Sequence, residues 1–335
     1  MKKKIIPLLL ALIILYCLLF PADMAASVSD GLTLWYRSIL PTLLPFSIFS
    51  NIIIRTGIYD RFFAWLHPAF RRIYPVRSPL IYPLLAGFLF GFPLGSKICA
   101  DLCREGKISP KEAEIASSIS NNFGPAFIYN FLYQTAFDGQ LPAVYFFAAC
   151  YLPPILLGRL WLMRFPSEEK ALESCSGGKR NYIKPGKTSV SGGIQTIPEN
   201  TKKAPGSQIN MEIMDAGIMD GFSTMIKLAG YIMLSALLAD MIRQLPLSDD
   251  ILHCICIGAI EITNGIQQIR LLPADTAVRA VLAVGIVNFG GLSGLSQTRS
   301  MMRSTGICMK NYICFKLLCS LCGMAFLFLI AISVS

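Results

Sequence analysis

Lys97 closes the run Gly91-Phe92-Pro93-Leu94-Gly95-Ser96-Lys97, in which two glycines and a proline alternate ahead of one cation. A cation in that position pairs with an anionic ligand, and a helix reopened after a Gly/Pro break turns its positive N-terminal end toward the same place. Asn121 and Asn122 precede Phe123-Gly124-Pro125, and the pairing of an amide with a breaker returns at Asn264-Gly265 and at Asn288-Phe289-Gly290-Gly291. Asparagine amides donate and accept hydrogen bonds, which suits a polar ligand. Glu261 stands in an otherwise apolar run, where an ionisable side chain is a candidate for proton or cation relay. Each residue also has a plainer reading. Lys97 snorkels to a membrane interface, the asparagines tie helices together, and Glu261 closes a structural ion pair with Arg37 or Lys227.

The elements that must carry these residues are apolar and long. Of 335 residues, 54% are hydrophobic and 15% charged, against about 25% charged in an average soluble domain, and the mean hydropathy is +0.55. The net charge of +10 is distributed between apolar runs rather than along one basic face, so it reads as membrane topology and not as a nucleic-acid surface. Segments near the roughly 20 residues that a crossing needs are Ile5–Phe20, Gly31–Ile54, Leu141–Phe165, Ile218–Ile242, Ile251–Ile269, Thr276–Leu295 and Tyr312–Val334. Ile5–Phe20 fits a first spanning helix or a signal anchor behind a basic cap, and Pro41 and Pro45 are expected to kink the second segment. Arg55–Arg77 mixes aromatics with five arginines and His67, as an interfacial segment does. Ser78–Ala100 is punctuated by Gly87, Gly91, Pro93 and Gly95, which a continuous lipid-facing helix would not tolerate. Ser109-Pro110-Lys111-Glu112 opens a helix with a capping box.

Two landmarks recur in the same order. Ser29-Asp30-Gly31-Leu32-Thr33 is echoed by Met219-Asp220-Gly221-Phe222-Ser223, each followed by a cation, Arg37 or Lys227, six residues after the glycine. Asn122-Phe123-Gly124 is echoed by Asn288-Phe289-Gly290. The expected organisation is therefore an N-terminal helix over 1–27, a first membrane half over 28–165, a polar linker over 166–211 and a second membrane half over 212–335. The fold class is an all-α polytopic membrane protein of two repeated halves with Gly/Pro-broken or re-entrant helices. Interrupted helices at matching places of two halves mark transporters, with the ligand held where the breaks meet. Gly91, Pro93, Gly95, Lys97, Asn121, Asn122, Gly124, Asn264, Gly265, Asn288, Gly290 and Gly291 are the expected ligand site, and Glu261 the relay.

Other chemistries find no support. The eleven cysteines lie mostly inside apolar segments, as small buried thiols do. Neither His67 nor His253 has the paired cysteines of a zinc site, so His253, Cys254 and Cys256 read as structural and no metal or other cofactor is expected. No nucleophile elbow, phosphate-binding loop or His-Glu-x-x-His pair is present, and the chain does not read as an enzyme.

The run from Gly91 through Leu102, then Gly106-Lys107-Ile108-Ser109, Glu112-Ala113-Glu114 and Ser120-Asn121-Asn122-Phe123-Gly124-Pro125-Ala126-Phe127-Ile128, resembles the sporulation integral membrane proteins of the YlbJ type. Glu261-Ile262-Thr263-Asn264-Gly265 and Phe289-Gly290-Gly291-Leu292-Ser293 are similar to the same family. The resemblance covers most of the chain outside the linker. It implies two nucleoside-recognition, or Gate, domains and synthesis in the mother cell during endospore formation. It further implies movement of a small anion, dipicolinate, across the outer forespore membrane. Phe123, where a small polar residue is usual, and the long linker depart from the family pattern. The implied partners are the lipid bilayer and a second copy or other sporulation membrane proteins. A nucleoside transporter and a non-transporting scaffold for sporulation factors stay open beside this reading.

Overall fold

The computed structural model describes residues 2–58, 78–164, 210–245, 248–303 and 305–334, with single positions between 66 and 76. The interfacial segment 55–77, including His67, and the linker 166–211 fall largely outside the described residues. Among the described residues every regular element is helical. The helices are α1 (Lys2–Leu19), α2 (Pro21–Leu34), α3 (Leu40–Thr56), α4 (Ile81–Phe90), α5 (Leu94–Arg104), α6 (Pro110–Ser120), α7 (Ala143–Arg164), α8 (Met211–Arg243), α9 (Asp250–Ile260), α10 (Ile262–Leu271), α11 (Thr276–Phe289), α12 (Gly291–Met301) and α13 (Met309–Val334). A π-helix, Phe127–Ala136, follows α6.

Among the described residues, four helical stretches are long and apolar enough to cross a membrane: Ala143–Arg164, Met211–Arg243, Thr276–Met301 and Met309–Ser333. The protein is an all-α, multi-pass membrane protein. Three expected spans take another form, and one of them, Ile251–Ile269, is broken at Glu261 into α9 and α10. The first apolar run does not continue straight, because Leu10–Leu19 and Pro21–Arg37 meet at a 108° bend, and Tyr16 Oη donates to Asp240 Oδ2 at 2.6 Å, fastening α1 to α8. The second run is helical from Pro21 to Thr56, but Trp35–Ile39 widens into a π-turn just before Pro41. A proline lacks the N–H that would continue the ladder and its ring crowds the preceding turn, so the backbone there takes the wider winding.

The expected interruptions are real breaks, with one shift in position. α4 ends at Gly91, whose φ of +84° an L side chain rarely adopts, and α5 begins after Pro93. α6 starts on the capping box, Ser109 Oγ accepting from the Glu112 amide at 3.3 Å and Glu112 Oε2 from the Ser109 amide at 2.8 Å. It stops at Asn121, and the π-helix follows. The third break falls at Glu261, three residues ahead of Asn264-Gly265, which lie inside α10. Glu261 caps α10, its carboxylate accepting from the Asn264 amide at 2.8 Å and from Thr263 Oγ1 at 2.5 Å. Gly265 serves packing instead: a Cβ there would sit 2.2 Å from Gly258 Cα. α11 and α12 are separated by Gly290 at φ +87°, yet together form a 26-residue candidate span.

Half-helices of 10 to 14 residues reach about 15–20 Å, roughly half of a 30 Å hydrocarbon core. Their inner ends expose backbone N–H and C=O groups that lipid cannot satisfy, so each must meet protein or a polar cavity. Long helices enclose them: α13 packs along α11 and α7, and α8 along α2 and α3. A Cβ on Gly31 of α2 would meet Ala236 and Ile232 of α8, and one on Gly217 or Gly221 of α8 would meet Ile52 or Ile48 of α3, so these glycines let α8 pack closely on both helices. One apolar cluster joins α4, α5 and α6 to Phe315 and Cys319 of α13, and a second joins the π-helix and α7 to α9 through α11.

Candidate functional site

Three of the breaks open on one cavity of about 1010 Å³, and the first turn of α12, beyond the fourth, reaches its wall. Phe90 and Phe92 reach it from the first break, Gly124 and Phe127 from the second, Glu261 and Thr263 from the third, and Ser293 and Gly294 from α12. The second helix of every pair therefore starts at or beside its wall. α5, α12 and the π-helix carry no side-chain cap, so the positive ends of three helices face this region without a carboxylate of their own. The charged lining residues are Arg37 and Glu261, and no ion pair joins Glu261 to Arg37 or Lys227 among the described residues.

Glycines bring the breaks close together. A Cβ on Gly91 would lie 2.4 Å from the Gly124 amide nitrogen, which locks the first break against the second. A Cβ on Gly291 would lie 3.1 Å from the Ile260 carbonyl oxygen, which sets the fourth against the third, and Gly294 meets the Phe92 ring across the halves. Phenyl rings line one side in sequence: Phe92 and Phe123 at 5.8 Å, Phe123 and Phe127 at 4.4 Å, Phe127 and Phe131 at 5.0 Å between centroids. The cavity is thus aromatic and apolar with positive helix ends at its rim.

Lys97 lies elsewhere. It lines a separate polar cavity of about 380 Å³ with Arg55, Asp101, Arg104, Asp220 and Lys227. Its ammonium donates to Asn51 Oδ1 at 2.5 Å and Asp101 Oδ2 at 2.8 Å, and Arg104 holds the other oxygen of Asp101 at 2.7 Å. Lys97 is buried and paired, so the snorkelling reading does not describe it. Gly95, two residues earlier, presses on Ser120, and Pro93 caps the helix that carries both.

The asparagines gather around a residue that sequence reasoning missed. Lys316, 3% exposed in the second turn of α13, donates to the Asn121 carbonyl oxygen at 2.5 Å and to Asn122 Oδ1 at 3.0 Å. These acceptors lie at the C-terminal, negative end of α6, so the cation compensates a broken helix rather than a carboxylate. Asn121 Nδ2 donates to Thr298 Oγ1 at 2.9 Å and Tyr312 Oη at 2.6 Å. Asn288 Nδ2 donates to the carbonyl oxygens of Ala149 at 3.0 Å and Cys319 at 3.3 Å, an approach that the missing side chain of Gly323 permits. Asn121, Asn122, Asn288, Gly290 and Lys316 border a space of about 10 Å³, the scale of one water. Asn264 and Gly265 border none of these cavities. An ionisable residue in the apolar run Tyr312–Val334 was the available signal for Lys316.

Fold and site together define a multi-pass helical membrane protein whose interrupted helices converge on a cavity. The chain is 26% identical over 313 residues to the sporulation integral membrane protein YlbJ of Bacillus subtilis (strain 168), a match covering 86% of this chain and 72% of that protein. No protein-family model matches the chain, and no solved structure matches it.

Proposed function

We propose that this protein is a membrane transporter of endospore formation that carries dipicolinate across the outer forespore membrane into the forespore. The observation that carries the reading is the meeting of three helix breaks and the first turn of α12 at one cavity of about 1010 Å³. Interrupted helices are tolerated in a bilayer only against protein or an aqueous space, and in transporters they hold the substrate. The chemistry fits a planar aromatic dianion. The ring stacks on the Phe92, Phe123, Phe127 and Phe131 ladder, and its carboxylates take the uncapped N-termini of α5, α12 and the π-helix. The similarity to a sporulation integral membrane protein supports the cellular setting. Duplicated element order supports two related halves: in each, two interrupted helices are followed by a long one, α7 or α13.

Glu261 serves as the relay in this reading. It is the carboxylate that lines the cavity, and it sits on the helix end whose charge it balances. Spores of a strain lacking the gene test the proposal, scored for dipicolinate alongside the mother cell's own synthesis. Spores depleted of dipicolinate with synthesis intact agree with it, and full spores contradict it.

A further inference from the structure

The polar and aromatic cavities have two lining residues in common, Leu228 of α8 and Gln297 of α12. These two side chains are the wall between them. Gln297 is 3% exposed. Its Nε2 donates to Ser293 Oγ one turn back at 2.9 Å, and its Oε1 has no hydrogen-bond partner. A buried amide oxygen left unpaired is unfavourable and needs a reason for being kept. Turning the amide over would exchange donor and acceptor at the wall, while the Ser293 hydroxyl can serve either group. Leu228, opposite, offers no polar atom.

The surroundings give the wall a direction. On its polar side stand Arg55, Lys97, Arg104 and Lys227 against Asp101, Glu105 and Asp220, an excess of one cation. On the other side lie the phenyl ladder and the helix N-termini. The lining that the two cavities share is one amide and one leucine, which stand between an anion gathered over the cations and the aromatic cavity. α12 also has the means to move: Gly290 precedes it and Gly291 opens it, at φ +87° and +61°, and a side chain added at Gly290 would meet nothing within 4 Å.

We propose that Gln297 and Leu228 form the constriction through which ligand passes between the polar cavity and the aromatic cavity, with Gln297 as the specificity-determining residue. The inference rests on reading the aromatic cavity as the ligand site, and its test does not depend on which ligand is carried. In sealed vesicles holding the full chain, a charged, membrane-impermeant methanethiosulfonate is added on the face from which Ser223→Cys in the polar cavity is labelled. Labelling of Thr263→Cys in the aromatic cavity is then followed at that residue by peptide mass spectrometry. It is compared with Gln297 intact, with Gln297→Ala and with Gln297→Trp. The expected result is labelling from that face, several-fold faster with alanine and several-fold slower with tryptophan. Should the tryptophan variant fail to fold, the alanine variant alone decides. Equal rates with glutamine and alanine, or labelling only from the opposite face, overturn the proposal. Dipicolinate uptake by the same vesicles is scored separately: its absence beside the expected ranking of rates removes the substrate and leaves the passage.

Discussion

At the scale of single residues, charge in this protein is held by backbone as much as by opposite charge. Lys316 neutralises the end of α6 through the Asn121 carbonyl and the Asn122 side chain. Lys316→Met is expected to leave two buried acceptors unpaired at about 1–3 kcal/mol each, lowering the melting temperature in detergent; an unchanged melting temperature would remove Lys316 from the structural role. Glu261→Gln keeps an oxygen to cap α10 but loses the charge, so thermal stability should hold while the pH dependence of uptake changes. Glu261→Ala loses the cap as well, at about 1 kcal/mol. Lys97→Ala is expected to abolish uptake at unchanged protein level, because Asp101 retains Arg104. Wild-type flux in that variant would take Lys97 out of the pathway. Lys97 and Glu261 were legible because each breaks an apolar or Gly/Pro pattern. Gln297 was not, since Ser-Gln-Thr-Arg is ordinary polar sequence and its significance comes only from the two spaces it separates.

At the scale of elements, the breaks are made by close backbone approach, and this orders the effects of adding one methyl group. Gly91→Ala meets both a positive φ and the Gly124 backbone at 2.4 Å, and Gly265→Ala meets Gly258 Cα at 2.2 Å. Overpacking of that kind costs about 1–3 kcal/mol or more. Gly57→Ala, at φ +68° with nothing within 4 Å, has backbone strain only and should cost about 1 kcal/mol. Melting curves of the three variants check the order, and a Gly57 variant as damaged as the other two would contradict it. The Gly/Pro punctuation showed where helices stop. It misplaced the third break because Asn-Gly resembles a breaker, whereas the carboxylate of Glu261 ends one helix and caps the next. The sharp turn after Leu19 had no such signal, since Phe20-Pro21 also reads as an ordinary helix start.

At the scale of the whole molecule, helices from before and after the polar linker interlock. α8 packs against α2 and α3, and α13 against α7. The Arg55–Asp220 pair at 2.6 Å crosses the same seam. It is partly exposed, so Asp220→Asn should cost no more than about 1 kcal/mol. Hydropathy located the four long spans, but only the fold shows that three breaks and the first turn of α12 reach one cavity. The central claim is that this cavity carries dipicolinate, and the most direct test is uptake of labelled dipicolinate by proteoliposomes containing the purified full chain. The account predicts saturable uptake above that of empty liposomes, competed by unlabelled dipicolinate and lost in Lys97→Ala. Uptake equal to that of empty liposomes, in protein that folds and inserts, would contradict it.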